Sequence, residues 1–142
     1  MRNVTLLGAT GSIGTSTLDV LRRHKDEFKL HAVAASSSVD KMVAIVQEFK
    51  PERVAMHNEK SAQELSKRLK DSGLYAEVLA GAQGVEEVAG DGAADVVVGA
   101  IVGAAGLKPV IAIVKFFNNF TNLNLFSFVI SFTFSFPSIS ES

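Results

Sequence analysis

Short apolar runs of strand length alternate with longer segments of helical periodicity along most of this 142-residue chain. Strands that alternate with helices join into a parallel sheet, because each helix carries the chain back across one face of the sheet. The predicted strands are residues 4–7, 30–35, 54–56, 78–80 and 96–99. The pattern predicts an α/β fold, a doubly wound parallel sheet with helices on both faces. At 47% hydrophobic residues, the length suffices for one such domain with its own core.

A glycine-rich turn joins the first predicted strand to the first predicted helix, in "LLGATGSIGTSTLDVL". Gly8 permits a tight exit from the strand, Gly11 lets backbone N–H groups approach a pyrophosphate, and Gly14 lets the helix pack close to the sheet. Thr10 and Ser12 add hydroxyl donors beside the helix N-terminus, which favours anions. The spacing is GxxGxxG rather than GxGxxG, and a purely structural turn is the alternative. Inside the alternating pattern, the turn indicates a Rossmann-like nucleotide site.

Three serines follow the second predicted strand, at the place where NAD-binding domains carry an acidic residue for the ribose 2′-hydroxyl. The hydroxyls of Ser36, Ser37 and Ser38, with nearby Lys41, can donate to a 2′-phosphate, and we expect no carboxylate to repel it. The sequence therefore favours NADP over NAD. The alternative is a plain loop in which Ser38 is a helix N-cap.

Other chemistries find little support in the composition. The chain has no cysteine and a net charge of −1, which excludes thiolate chemistry and argues against nucleic-acid binding. His24, His31 and His57 share no metal-ligand spacing, and we expect all three on the surface or in loops. No catalytic residue and no metal cluster is predicted. The sequence shows no targeting leader, so we expect a cytoplasmic protein.

The composition changes sharply after Val114. Eight of the ten phenylalanines lie in residues 116–136, where "LFSFVISFTFSF" alternates with the period of a strand. The apolar stretch is shorter than the roughly 20 residues of a membrane-spanning helix, so a membrane span is not expected. The run predicts an aggregation-prone segment, with an edge strand of the sheet as the alternative.

Three segments together resemble the N-terminal domain of the 1-deoxy-D-xylulose 5-phosphate reductoisomerase family: "GATGSIGTSTLDVLRRHKDEFKLHAVAA", "LAGAQGVEEVA" and "AIVGAAGLKPVIAI". The resemblance implies an NADPH-dependent oxidoreductase of non-mevalonate isoprenoid synthesis, homodimeric at full length and dependent on Mg²⁺ or Mn²⁺; if the source were a plant or alga, the compartment would be the plastid. It implies that Thr10, Gly11, Ser12 and Ile13 hold the NADPH phosphates and that residues 36–38 flank the 2′-phosphate. The family has glycine, a variable residue and asparagine at 36–38, so the three serines are a departure.

The resemblance divides the chain into an NADPH-binding domain, residues 1–114, and a divergent tail, residues 115–142. In the family an "ANKE" strand and a domain with the acidic metal ligands follow, and "KFFNNFTNLNLFSF" matches neither. We therefore expect a truncated reductoisomerase that is inactive alone. The alternative is a non-catalytic NADP-binding module whose tail contacts a partner or a membrane surface.

Overall fold

The computed structural model describes residues 1–99, apart from the side chains of Ser12 and Ile13. The predicted tail at residues 115–142 lies outside the described residues. Nine elements follow one another in strict alternation: β1 (Arg2–Leu7), α1 (Ser12–Arg23), β2 (Phe28–Ala35), α2 (Val39–Phe49), β3 (Arg53–Met56), α3 (Glu59–Asp71), β4 (Glu77–Ala80), α4 (Gly81–Ala89) and β5 (Val96–Gly99). All five predicted strands are present.

The five strands form one parallel sheet in the order β4-β3-β2-β1-β5. The chain moves outward from β1 through β2 and β3 to β4, and then returns to place β5 on the other side of β1. This reversal makes the pair β1 and β5 the switch point of the sheet. The predicted doubly wound α/β fold is confirmed.

The two faces of the sheet are covered by different helices. Alternate strand side chains such as Leu6 and Val33 pack with α1, α2 and α3 in one core cluster. The intervening residues, such as Leu7 and Ala34, pack with α4 in a second cluster. Alternation follows from the period of two along a strand, and burial on both faces is typical of a parallel sheet.

Local sequence signals set several helix ends. The side chain of Asn58 accepts a 3.0 Å hydrogen bond from the Ser61 N–H and so caps α3. The C-cap of α2, Lys50, has a φ of +51°, and Pro51 follows and cannot continue a helix. Gly73, with a φ of +71°, lies one residue beyond the C-cap of α3.

Helix α1 leaves an apolar groove of about 230 Å³ on the β5 side of the sheet. Its lining includes Val4, Val96 and Val98 from the strands and Val20 from the helix. Val20 is 51% exposed. No helix among residues 1–99 has both the length and the apolar character needed to cross a membrane.

Candidate functional site

The carboxyl ends of the strands place the glycine turn at the switch point of the sheet. Strand β1 ends at Leu7, between β2 and β5, and the chain enters α1 within five residues. In open α/β sheets, the crevice outside the carboxyl ends at such a point is where ligands bind. The predicted site therefore lies at the position that the topology favours.

The backbone of the turn is tied to the neighbouring strand. The Ala34 carbonyl of β2 accepts hydrogen bonds from the N–H groups of both Gly8 and Ala9, at 2.9 and 3.0 Å. Gly8 has a φ of +80°, a conformation that glycine adopts without strain. The tight exit predicted for Gly8 is thus present, and the chain turns directly over the end of β2.

Gly14 lies where α1 passes closest to this turn. A Cβ on Gly14 would lie 2.3 Å from the Gly8 carbonyl oxygen and 2.6 Å from the Ala9 carbonyl carbon and oxygen. The close approach is therefore between the first turn of α1 and the backbone of the glycine loop. Gly14 sets the position of the helix N-terminus relative to the loop.

Gly11 has a different role from Gly14. A Cβ on Gly11 would have one near neighbour, the Gly8 carbonyl oxygen at 3.7 Å, which is an ordinary contact. Gly11 is exposed and extended, with φ −81° and ψ 177°. The fold therefore tolerates a side chain at position 11. Glycine is required there only if a ligand approaches the backbone closely.

The N-terminus of α1 keeps its anion-binding capacity. Gly11 is the N-cap and, as a glycine, makes no side-chain capping bond, and no acidic residue lies in the first turn. The Thr15 hydroxyl donates a 2.9 Å hydrogen bond to the Gly11 carbonyl, and Thr10 is half-buried beside the turn. The first N–H groups of a helix and its dipole favour an anion. The side chains of Ser12 and Ile13, which are also predicted contacts, lie outside the described residues.

The three serines lie at the same edge of the sheet, directly after β2. Ser36 and Ser37 are exposed, and Ser38 is the half-buried N-cap of α2. The Ser38 side chain makes no capping hydrogen bond, in contrast to Asn58 on α3. The alternative in which Ser38 acts as a conventional side-chain cap is therefore not what the structure shows. Because β1 and β2 are adjacent, the structure brings the glycine turn and the serines together.

The expectation that all three histidines lie on the surface or in loops was wrong for His31. This residue lies in β2, is 5% exposed, and has its Nε2 atom 3.0 Å from Asp91 Oδ2. Arg53 Nη1 lies 3.2 Å from the same carboxylate oxygen. The buried ring is tolerated because it has a charged partner. Asp91 is 60 residues from His31 in sequence, so no local spacing could have revealed the pair.

The pKa of the Asp91 carboxyl reflects these contacts. Burial alone would raise the pKa, but a hydrogen bond from the Ala93 N–H, together with His31 and Arg53, outweighs burial and lowers the pKa below its usual value. Arg53 is the first residue of β3 and His31 lies in the middle of β2, so the group lies on the amino-terminal side of the sheet, away from the glycine turn. It fastens the end of α4 to the sheet. Within residues 1–99, no group of three or more metal-ligating side chains is assembled.

The comparisons with known proteins agree with this geometry. The family model described as 1-deoxy-D-xylulose 5-phosphate reductoisomerase matches residues 4–121. The reductoisomerase of Cupriavidus metallidurans is 46% identical over 112 residues, which cover 79% of this chain and 29% of that protein. That of Clostridium perfringens is 41% identical, with 81% of this chain and 30% of that protein covered. The chain thus spans less than a third of the length of these relatives.

Solved structures of reductoisomerases share the fold. A DOX-P reductoisomerase in complex with NADPH, fosmidomycin and magnesium superposes with a TM-score of 0.76 at 42% identity, over 79% of this chain and 27% of that one. The Zymomonas mobilis enzyme in complex with NADPH gives a TM-score of 0.75 at 36% identity, over 80% of this chain and 29% of that one. On the family match, the identities and the shared fold, this chain belongs to the 1-deoxy-D-xylulose 5-phosphate reductoisomerase family.

Proposed function

We propose that this chain is the NADPH-binding domain of a 1-deoxy-D-xylulose 5-phosphate reductoisomerase. The observation that carries the proposal is the glycine N-cap of α1, which has no side chain to cap the helix and belongs to the glycine turn at the switch point. The open space at Gly11 fits a pyrophosphate drawn close to the backbone. Solved relatives of the same fold are complexes with NADPH.

The cofactor's pyrophosphate sits on α1 in this proposal. The N–H groups at the start of α1 donate to the phosphate oxygens, and the helix dipole favours their charge. Gly8 and Gly14 hold the loop against the helix, and Thr10 lies beside the phosphates. Ser12 and Ile13 remain predicted contacts.

The 2′-phosphate of the adenosine is held by Ser36, Ser37 and Ser38 in this proposal. The hydroxyl of Ser38 lies at the start of α2, where its O–H can donate to a phosphate. Hydrogen bonds to charged groups contribute about 1.5–3 kcal/mol each, so one such contact predicts at least about a tenfold preference for NADPH over NADH.

The cofactor, when bound, supplies the hydride for the reduction that gives the family its name. The contribution of these 99 residues is to bind the cofactor and fix its orientation. We propose that residues 1–99 by themselves catalyse no turnover, because they assemble no group of three or more metal-ligating side chains.

The glycine turn is tested by Gly11→Val. The extended φ and ψ of Gly11 and the 3.7 Å clearance suit valine, so the domain should fold with at most about 1 kcal/mol lost at the N-cap. We expect the NADPH dissociation constant, measured by calorimetry, to rise at least tenfold. Ser66→Val, on the exposed side of α3, is the matched control and should bind as the wild type does. Unchanged affinity in a folded Gly11→Val protein would refute the phosphate site.

A further inference from the structure

The first turn of α2 carries an acidic residue close to the serines. Asp40 lies two residues after Ser38 and its side chain is 89% exposed. A carboxylate in the first turn of a helix competes with any other anion for the same N–H groups and dipole. An unpaired Asp40 would therefore oppose binding of a 2′-phosphate at this helix end.

Arg68 of α3 is paired with this carboxylate. Its Nη1 atom donates a hydrogen bond to Asp40 Oδ1, across the contact between α2 and α3. The two side chains are 28 residues apart in sequence, and Arg68 is 39% exposed. Exposed ion pairs of this kind contribute little to stability. The effect of the pair falls instead on the electrostatic field at the start of α2.

We propose that Arg68 is a positioning residue for 2′-phosphate recognition, because it neutralises and holds the Asp40 carboxylate beside the phosphate site. The proposal rests on the proposed function, since it assumes a phosphate at Ser36–Ser38. Without Arg68, the carboxylate charge is unpaired beside a dianion. A unit charge and a dianion roughly 8 Å apart in water repel enough to weaken binding about fivefold at low salt. At physiological salt, screening removes much of this effect.

The nicotinamide and pyrophosphate ends of the cofactor lie away from α2 in this arrangement, and NADH lacks the 2′-phosphate. Loss of the Arg68–Asp40 pair should therefore weaken the affinity for NADPH and leave the affinity for NADH nearly unchanged. If Arg68 had only a structural role, its loss would weaken the affinity for both cofactors equally. If Arg68 contacted the phosphate directly, removing Asp40 as well would not restore the NADPH affinity.

The test is a double-mutant cycle with Arg68→Ala, Asp40→Asn and the combined variant, titrated with NADPH and with NADH at about 20 mM ionic strength. Lys67→Ala is the matched control, because it removes the same charge from the neighbouring, exposed position of α3. We expect Arg68→Ala to raise the NADPH dissociation constant about fivefold, with less than a twofold change for NADH and for Lys67→Ala. In the combined variant, where neither charge remains, the NADPH dissociation constant should return to within twofold of the wild-type value, and in the Arg68→Ala protein 0.5 M salt should reduce the loss.

Other results overturn the proposal. A combined variant that binds NADPH as weakly as Arg68→Ala does shows direct phosphate contact, and an equal loss for NADPH and NADH shows a structural role. If the wild type prefers NADPH but Arg68→Ala and Lys67→Ala bind it as the wild type does, this inference fails and the proposed function stands. If the wild type shows no NADPH binding, both fail.

Discussion

Replacing Gly14 by alanine tests how closely α1 approaches the glycine loop. The added Cβ would lie 2.3 Å from the Gly8 carbonyl oxygen, whereas ordinary contacts begin at 3.4 Å, so the helix would have to move by about 1.1 Å. Overpacking typically costs about 1–3 kcal/mol, and a rigid backbone on the other side places this site near the upper value. Alanine regains about 1 kcal/mol of helix propensity. We therefore expect Gly14→Ala to lower the free energy of unfolding by about 2 kcal/mol.

The loss is measured by thermal and urea unfolding followed by far-ultraviolet circular dichroism. Gly84→Ala is the graded control: its Cβ would meet the Leu79 backbone and Cβ at 3.0 Å, a milder overlap on α4. In Gly84→Ala, the gain in helix propensity should nearly offset the cost of the close contact. The free energy of unfolding should therefore change by less than about 1 kcal/mol. A Gly14→Ala protein as stable as the wild type would show that the helix does not press against the loop as described.

Two further predictions concern stability away from the glycine turn. Asp91 has a lowered pKa, so its ionised form stabilises the folded state above the unfolded pKa of about 4, and this contribution is lost as the pH falls through the lower folded value. The melting temperature of the wild type should therefore fall as the pH is lowered from 5 to 2.5, and that of Asp91→Asn should fall less steeply. Parallel curves of melting temperature against pH for the two proteins would contradict the role of this carboxylate. Asn58→Ala should lower stability by about 1 kcal/mol through loss of the α3 cap, while Asn58→Asp retains it, as equilibrium urea unfolding would show.

The sequence predicted the architecture well, because its signals are local. Each predicted strand is present. Strand β1 begins at Arg2 and β2 begins at Phe28, in each case two residues before the predicted apolar run. The difference arises because apolar patterning reports burial, whereas strand pairing depends on backbone hydrogen bonds that polar residues also make. Gly8 and Gly14 were predictable because positive φ and close approach demand glycine.

The charged pairs were not predictable in the same way. The His31–Asp91 contact and the Arg68–Asp40 pair join residues 60 and 28 positions apart. Such pairs depend on which elements lie side by side once the sheet has formed. The periodicity of apolar residues along the sequence does not predict this. The N-cap position of Ser38 was predictable, but the absence of a capping bond from its side chain depends on the local φ and ψ of the loop. Side-chain hydrogen bonding at loops and edges therefore required the structure.

The most direct test of the proposed cofactor site is an NADPH titration of the uniformly ¹⁵N-labelled protein, followed through its amide resonances. We expect the N–H signals of the glycine turn, residues 8–14, and of residues 36–38 to shift together with one dissociation constant. The signals of Asp91 and Ala93, at the opposite edge of the sheet, should stay in place. Saturating NADPH that leaves the signals of residues 8–14 unmoved, or that shifts only the opposite edge, would contradict a cofactor site at the start of α1.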